Sequence, residues 1–292
     1  MNVWQLENNR FLVVVNAAGG ELSSLRDKST GREWLWQPQP GVWNNSATQL
    51  FPVVGALIHE GLRVNNRHLP LSAHGFLRHQ TFTCLEQGVN HLLLEACSTS
   101  ETLGVWPWCW RIQLRLMLHE FGVSVTQRVF NDDRQPFLYS IGWHPGFALP
   151  VSSQTGWQVK FGELAVRGPF PTRNRTLFTE DLTRTTQSFA LTEAAFREGA
   201  IYFCDCQQQQ IRVCSPDGTI VMTLETAEYD WLALWGVPGA DLLCIEPLAG
   251  TTDAPDFDGT VEKKRGIRLL APNQSQRFSV KLRFTVDACE GD

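Results

Sequence analysis

Apolar and polar residues alternate with a period of two over much of the chain. Ile112, Leu114, Leu116 and Leu118 alternate with Arg111, Gln113 and Arg115, and Phe278, Val280, Leu282 and Phe284 with Ser279, Lys281 and Arg283. Val123, Val125 and Val129 repeat the theme, with Ser124, Thr126 and Arg128 among the polar residues between them. This pattern predicts half-buried strands of antiparallel sheets. The short apolar runs Phe11 to Val15, Leu92 to Leu94 and Leu242 to Ile245 read as strands covered on both faces. Turn signals recur, among them Ala18-Gly19-Gly20, Asn131-Asp132-Asp133, Ser215-Pro216-Asp217-Gly218 and Pro238-Gly239-Ala240. Helical periodicity is nearly absent. The one candidate is Thr192-Glu193-Ala194-Ala195-Phe196, with Thr192 as its cap. Gln207 to Gln210 reads as a hairpin tip, and Thr251 to Gly259 as one long loop. Many short strands between turn signals, with no repeat and no low-complexity linker, predict an all-β fold, a sandwich or barrel forming a single domain over residues 1–292.

Composition narrows the classes of partner. The chain has 292 residues, 43% apolar and 19% charged, with 11 Trp and 17 Phe. That is enough apolar material for a large core. The net charge of −5, without a Lys/Arg run, excludes a general electrostatic grip on nucleic acid. No apolar stretch reaches the length of a membrane span. The opening Met-Asn-Val-Trp-Gln-Leu-Glu places a charge where an export signal needs apolar residues, so the expected compartment is the cytoplasm. The eight cysteines, at 84, 97, 109, 204, 206, 214, 244 and 289, are then expected to be reduced thiols. Cys204-Asp205-Cys206 would present both thiols on one face of a regular strand. Zinc there would need two further ligands, and no metal is expected.

Glycine patterns for phosphate loops, dinucleotide binding and a serine nucleophile elbow are all missing. What remains is a set of polar residues in apolar settings. Glu246 ends Leu242-Leu243-Cys244-Ile245 and precedes Pro247. A carboxyl in such a run is costly unless paired or functional, and desolvation raises its pKa toward that of a general base near neutrality. The alternative is an exposed strand-end Glu bonded to a loop. His144 lies in Gly142-Trp143-His144-Pro145-Gly146, where the glycines allow close approach and the imidazole can move a proton near pH 7. The alternative is a core His satisfied by a carbonyl. His74-Gly75-Phe76-Leu77-Arg78 offers a donor pair for hydroxyl or anionic groups, or is simply a surface loop. His59, His68, His79, His91 and His119 read as surface or strand-edge residues. Trp143 and Trp235 are candidates either for core packing or for a flat face against sugar C–H groups.

Taken together, Ser72-Ala73-His74-Gly75-Phe76, Gly142-Trp143-His144-Pro145-Gly146-Phe147 and Cys244-Ile245-Glu246-Pro247-Leu248-Ala249-Gly250 resemble, in order and spacing, the aldose 1-epimerase (galactose mutarotase-like) family. Gly19-Gly20-Glu21-Leu22-Ser23-Ser24-Leu25, Leu50-Phe51-Pro52-Val53-Val54-Gly55 and Gly266-Ile267-Arg268-Leu269-Leu270-Ala271-Pro272 extend the likeness along nearly the whole chain. It is greatest to an uncharacterised bacterial branch. The resemblance implies a large twisted antiparallel β-sandwich with a sugar cleft, and cofactor-free interconversion of the anomers of an aldose. By motif match it implies His144 as the acid at the ring oxygen, Glu246 as the base at the C1 hydroxyl and His74 as a substrate-binding residue; the flat face of Trp235 is a further candidate for substrate binding. Two positions depart from the family: Ala56 stands where relatives carry a sugar-binding Arg, and Gly199 where they often carry an Asp. These departures motivate an alternative, a carbohydrate-binding protein without turnover. Arg78 is similar to the Arg that helps hold phosphate in hexose-6-phosphate 1-epimerases, a second alternative.

Overall fold

The computed structural model describes residues 2–179 and 181–285. Two antiparallel sheets dominate. The larger has nine strands, in the order Ser188–Ala190, Gln158–Lys160, Gln210–Cys214, Ile220–Thr226, Ser275–Phe284, Gly122–Asn131, Trp110–His119, His91–Cys97 and Thr83–Gln87. The three strands predicted from alternation lie side by side at its centre, with every second side chain buried. The other sheet has eight strands. Along it run Thr176–Leu177, Val166–Arg173, Ile201–Cys204, Trp231–Trp235, Leu242–Ala249, Ile141–Ala148 and Ala47–Leu50, with Thr185–Thr186 paired to Val166–Arg173. The main core gathers Val125, Leu224 and Phe278 of the first sheet with Trp143, Phe147, Phe203, Leu232 and Ile245 of the second. This is the all-β sandwich that the periodicity predicts.

Several local expectations are corrected. Leu242–Ala249 is buried along its whole length, as its apolar run requires. Phe11–Asn16 and His91–Cys97 bury only alternate residues, because one lies in a three-stranded side sheet and the other next to the sheet edge. Gln207 to Gln210 does not close a hairpin. Its flanking strands belong to different sheets, and the chain crosses between them through left-handed Asp205 and Gln208. The same crossing separates the Cys-x-Cys thiols, since the strand ends at Cys204 and the two sulfurs enter different core clusters. The helix predicted at Thr192 is Glu193–Phe196, with the Thr192 hydroxyl accepting from the Ala195 N–H. A second short helix, Ser100–Val105, was not predicted. Seven cysteines are free thiols in the structure, and Cys289 lies outside the described residues. Among the described residues no helix is long and apolar enough to cross a membrane.

The eight-stranded sheet presents its other face outward, flanked by two smaller apolar clusters, one around Leu50, Phe170, Tyr202, Trp231 and Leu248 and one around Trp36, Leu242 and Cys244. The long Thr251 to Gly259 loop follows directly, with Thr251, Thr252 and Asp253 buried.

Candidate active site

Strand register builds the centre of the site. Gly142 pairs with Leu248 and Gly146 with Cys244, so the unbroken register between them sets His144 opposite Glu246. Pro145 and Pro247 lack the N–H that would continue the ladder there. Glu246 in turn faces Ala233, and Ala233 faces Tyr202. Directly opposed residues of neighbouring strands project to the same face. His144, Glu246, Ala233 and Tyr202 therefore form one row across the sheet, with small Ala233 leaving room above the floor.

His144, Glu246 and Tyr202 of this row line a cleft of about 280 Å³. That is just under the roughly 300 Å³ at the small end of ligand pockets, a size for one monosaccharide rather than a chain of them. His144 and Glu246 are 7% and 3% exposed, and Nε2 of His144 lies 3.3 Å from Oε1 of Glu246. Burial pushes the Glu246 carboxyl up to about 8 and the His144 imidazole down to about 3. Their separation would suit an ion pair, but desolvation opposes charge on both, so in the empty cleft they form a neutral pair holding one proton. Trp43 stacks on the His144 ring, with centroids 4.9 Å apart, and Trp235 meets it edge-on at 6.0 Å.

His74 completes the group, its ring 5.5 Å from that of His144. Its backbone is left-handed, at φ 64°, and is followed by left-handed Gly75. A Cβ on Gly75 would lie 2.2 Å from the Phe51 carbonyl oxygen, so the turn needs glycine there. Nδ1 of His74 accepts from the Gly55 N–H at 3.2 Å, which leaves the proton on Nε2 as a donor. Desolvation, together with the nearby charges of Arg78 and Arg175, holds this ring neutral.

Of the residues singled out in the sequence, His74, His144, Glu246 and Trp235 all line the cleft. Arg78 does not. Its guanidinium donates to the Ala73 carbonyl at 3.1 Å and to Nε2 of His79. Trp143 points the other way and is fully buried in the main core. Sequence reasoning missed Trp43, Thr172, Arg175, Tyr202 and Thr252, all in the lining. Burial keeps the Tyr202 phenol protonated. Arg175 enters from a turn with two consecutive left-handed residues, Asn174 and Arg175, where the Arg175 carbonyl accepts from the Thr252 hydroxyl at 2.7 Å. Ala56 and Gly199, the two departures, also line the cleft. A side chain at position 199 would face a φ of +136° and a contact of 2.5 Å with Thr172 Oγ1, so an Asp has no place there. Glu198 and Arg175 supply polar groups nearby instead. Among the described residues no group of three His, Cys, Asp or Glu is arranged to hold a metal ion.

The raised Glu246 pKa has a stability consequence. The unfolded chain releases this proton near 4.5, whereas the folded protein holds it until about pH 8. The unfolded state thus binds fewer protons across that window, and folding stability falls as pH rises through it. Gln at 246 has no such proton. The melting temperature of Glu246→Gln relative to wild type is expected to climb from pH 5 to pH 8. A difference that stays flat with pH would refute the assignment.

A family model described as aldose 1-epimerase matches residues 2–283. The plasmid-encoded LacX protein of Lactococcus lactis subsp. lactis is 23% identical over 294 residues, covering 94% of this chain and 97% of that protein. Among solved structures, a galactose mutarotase related enzyme from Lactobacillus acidophilus superposes with a TM-score of 0.91 at 22% identity, covering 100% of both chains. A galactose mutarotase-like protein from Lactobacillus casei ATCC 334 gives 0.88 at 23% identity, covering 97% of this chain and 100% of its own. At these identities the structural likeness establishes the fold.

Proposed function

Starting from a chain that belongs to the aldose 1-epimerase family, we propose that it interconverts the α and β anomers of an aldose. The observation that carries this reading is the buried His144–Glu246 pair opening onto a cleft of monosaccharide size. Ring opening needs one proton removed from the C1 hydroxyl and one delivered to the ring oxygen. A donor and an acceptor 3.3 Å apart reach both oxygens of one anomeric carbon.

In the reacting complex the shared proton sits on His144 and Glu246 is ionised. Glu246 takes the C1 hydroxyl proton as the C1–O1 double bond forms. The electron pair of the breaking C1–O5 bond moves to O5, which takes the His144 proton. The pair is then neutral, as in the empty cleft, and the sugar is an open-chain aldehyde. Rotation about C1–C2 followed by the reverse transfers closes the ring with C1 inverted. His74 Nε2–H donates to a sugar oxygen, and Trp235 offers its ring to the sugar's C–H face. Two groups with pKa values split by their surroundings perform both transfers.

Polarimetry or exchange NMR on a panel of free aldoses, run beside buffer, tests this. Accelerated anomer exchange on at least one sugar is expected. No acceleration on any would defeat the reading, and binding without acceleration would make the protein a sugar-binding module. Arg175 favours a second reading, a phosphorylated aldose as substrate. It lines the cleft and, among the described residues, makes no ion pair or side-chain hydrogen bond. Preferential turnover of hexose 6-phosphates would support it, and equal rates on free and phosphorylated sugar would not.

A further inference from the structure

The imidazole of His144 is held in an unusual way. A working histidine is commonly oriented by a hydrogen bond from its second nitrogen to a carboxylate or carbonyl. Here Nδ1 of His144 is buried and, among the described residues, has no hydrogen-bond partner beyond its own residue. Apart from the Glu246 contact at Nε2 and its own backbone, ring packing sets its plane. His74 and Trp235 meet it edge-on, at interplanar angles of 79° and 72°. Among the described rings only Trp43 lies against its face, at 27°.

The local chain is built around that contact. Gly146 follows His144 on the same face of the same strand. A Cβ there would lie 2.6 Å from Cζ3 of the Trp43 ring. The Trp43 carbonyl accepts from Trp36 Nε1 and from the Gln39 N–H, both at 3.0 Å. Trp235 braces the indole edge-on at 6.1 Å. The indole face on the His144 side is thereby occupied by imidazole and unavailable to a sugar.

We propose that Trp43 is a positioning residue of the proton relay, whose indole face both fixes the plane of the His144 imidazole and stabilises the positive charge that ring carries before it protonates the sugar. An indole face is the strongest side-chain partner of this kind for a cation. The charge exists on the path to ring opening and not in the empty cleft. The stack therefore lowers the barrier more than it strengthens sugar binding. The proposal rests on the epimerase reading for its kinetic part and on geometry alone for its structural part.

The test is a graded series in the full-length protein, Trp43→Tyr, Trp43→Phe and Trp43→Leu, each checked by circular dichroism. With the best aldose from the panel, kcat is expected to fall in that order, by about 2- to 30-fold for Trp43→Leu. KM should stay within about twofold, and Trp43→Phe should recover most of the loss. Unchanged kcat in Trp43→Leu would overturn the proposal. So would a raised KM at constant kcat, the signature of a sugar platform, or a Phe variant as impaired as Leu. A second measurement needs no activity, and Trp43→Phe suffices if Trp43→Leu does not fold. The His144 ring protons should show an upfield ring-current shift that shrinks in Trp43→Phe. Its absence in wild type would overturn the stack itself, whereas its presence in a protein inactive on every aldose would count only against the epimerase reading.

Discussion

Glu246→Gln and His144→Asn are each expected to lower kcat for anomer exchange by about 10²- to 10⁴-fold, the range of a lost general acid or base. Both replacements keep a neutral polar side chain where burial already disfavours charge, so the fold should survive. The double variant is expected to be scarcely slower than either single one. Removal at the C1 hydroxyl and delivery at the ring oxygen are two halves of one ring opening, and residues acting as a unit lose their function together. Progress curves at saturating sugar would show this. Additive losses in the double variant would mean that the two groups work separately, and a single variant with near wild-type kcat would remove that residue from the mechanism.

The second large effect is on stability. Lys264 and Asp253 form an ion pair with side chains 1% and 0% exposed, Nζ to Oδ1 at 2.6 Å. The ammonium also donates to the Thr251 carbonyl at 3.0 Å, and the other Asp253 oxygen accepts from the Ile58 N–H at 2.9 Å. This cluster fixes the loop that carries Thr252, whose hydroxyl oxygen also accepts from the Ala56 N–H at the cleft wall. Lys264→Met leaves a buried carboxylate without its counter-charge and is expected to cost about 3–5 kcal/mol in urea denaturation. Adding Asp253→Asn should restore much of that, because the uncompensated charge goes with it. A loss below about 1 kcal/mol in the single variant would show that water reaches the pair.

The readable parts of the sequence were those where one physical constraint acts alone. Trp110–His119 and Ser275–Phe284 alternate because one face is buried and the other is not. Glu246 stood out because a carboxyl inside Leu242–Ala249 conflicts with its neighbours. His144 stood out through its flanking glycines. The Glu246–His144 partnership was not visible in the residues themselves, because register is a property of two strands far apart in the chain. Only the family resemblance joined them. Trp43 was hidden among many tryptophans, most of them core. Arg175 sits in a polar turn that looks like any other; its one available signal is Asn174, a residue type that readily takes the left-handed backbone found there. The sheet change at Gln207 to Gln210 escaped notice because both flanking strands carry the same kind of pattern, whichever sheet they join. The helix at Ser100–Val105 is too short to show a period.

The cross-strand row of His144, Glu246, Ala233 and Tyr202 divides the site into a fixed bed and an exchangeable rim. Its spacing is dictated by backbone pairing in the middle of a covered sheet, where a one-residue slip would turn every apolar side chain the wrong way. Ala56, Arg175 and Glu198 come instead from connecting segments around it, which tolerate insertion and replacement far better. Descent within this architecture can therefore retune which sugar is admitted without disturbing the distance over which protons travel.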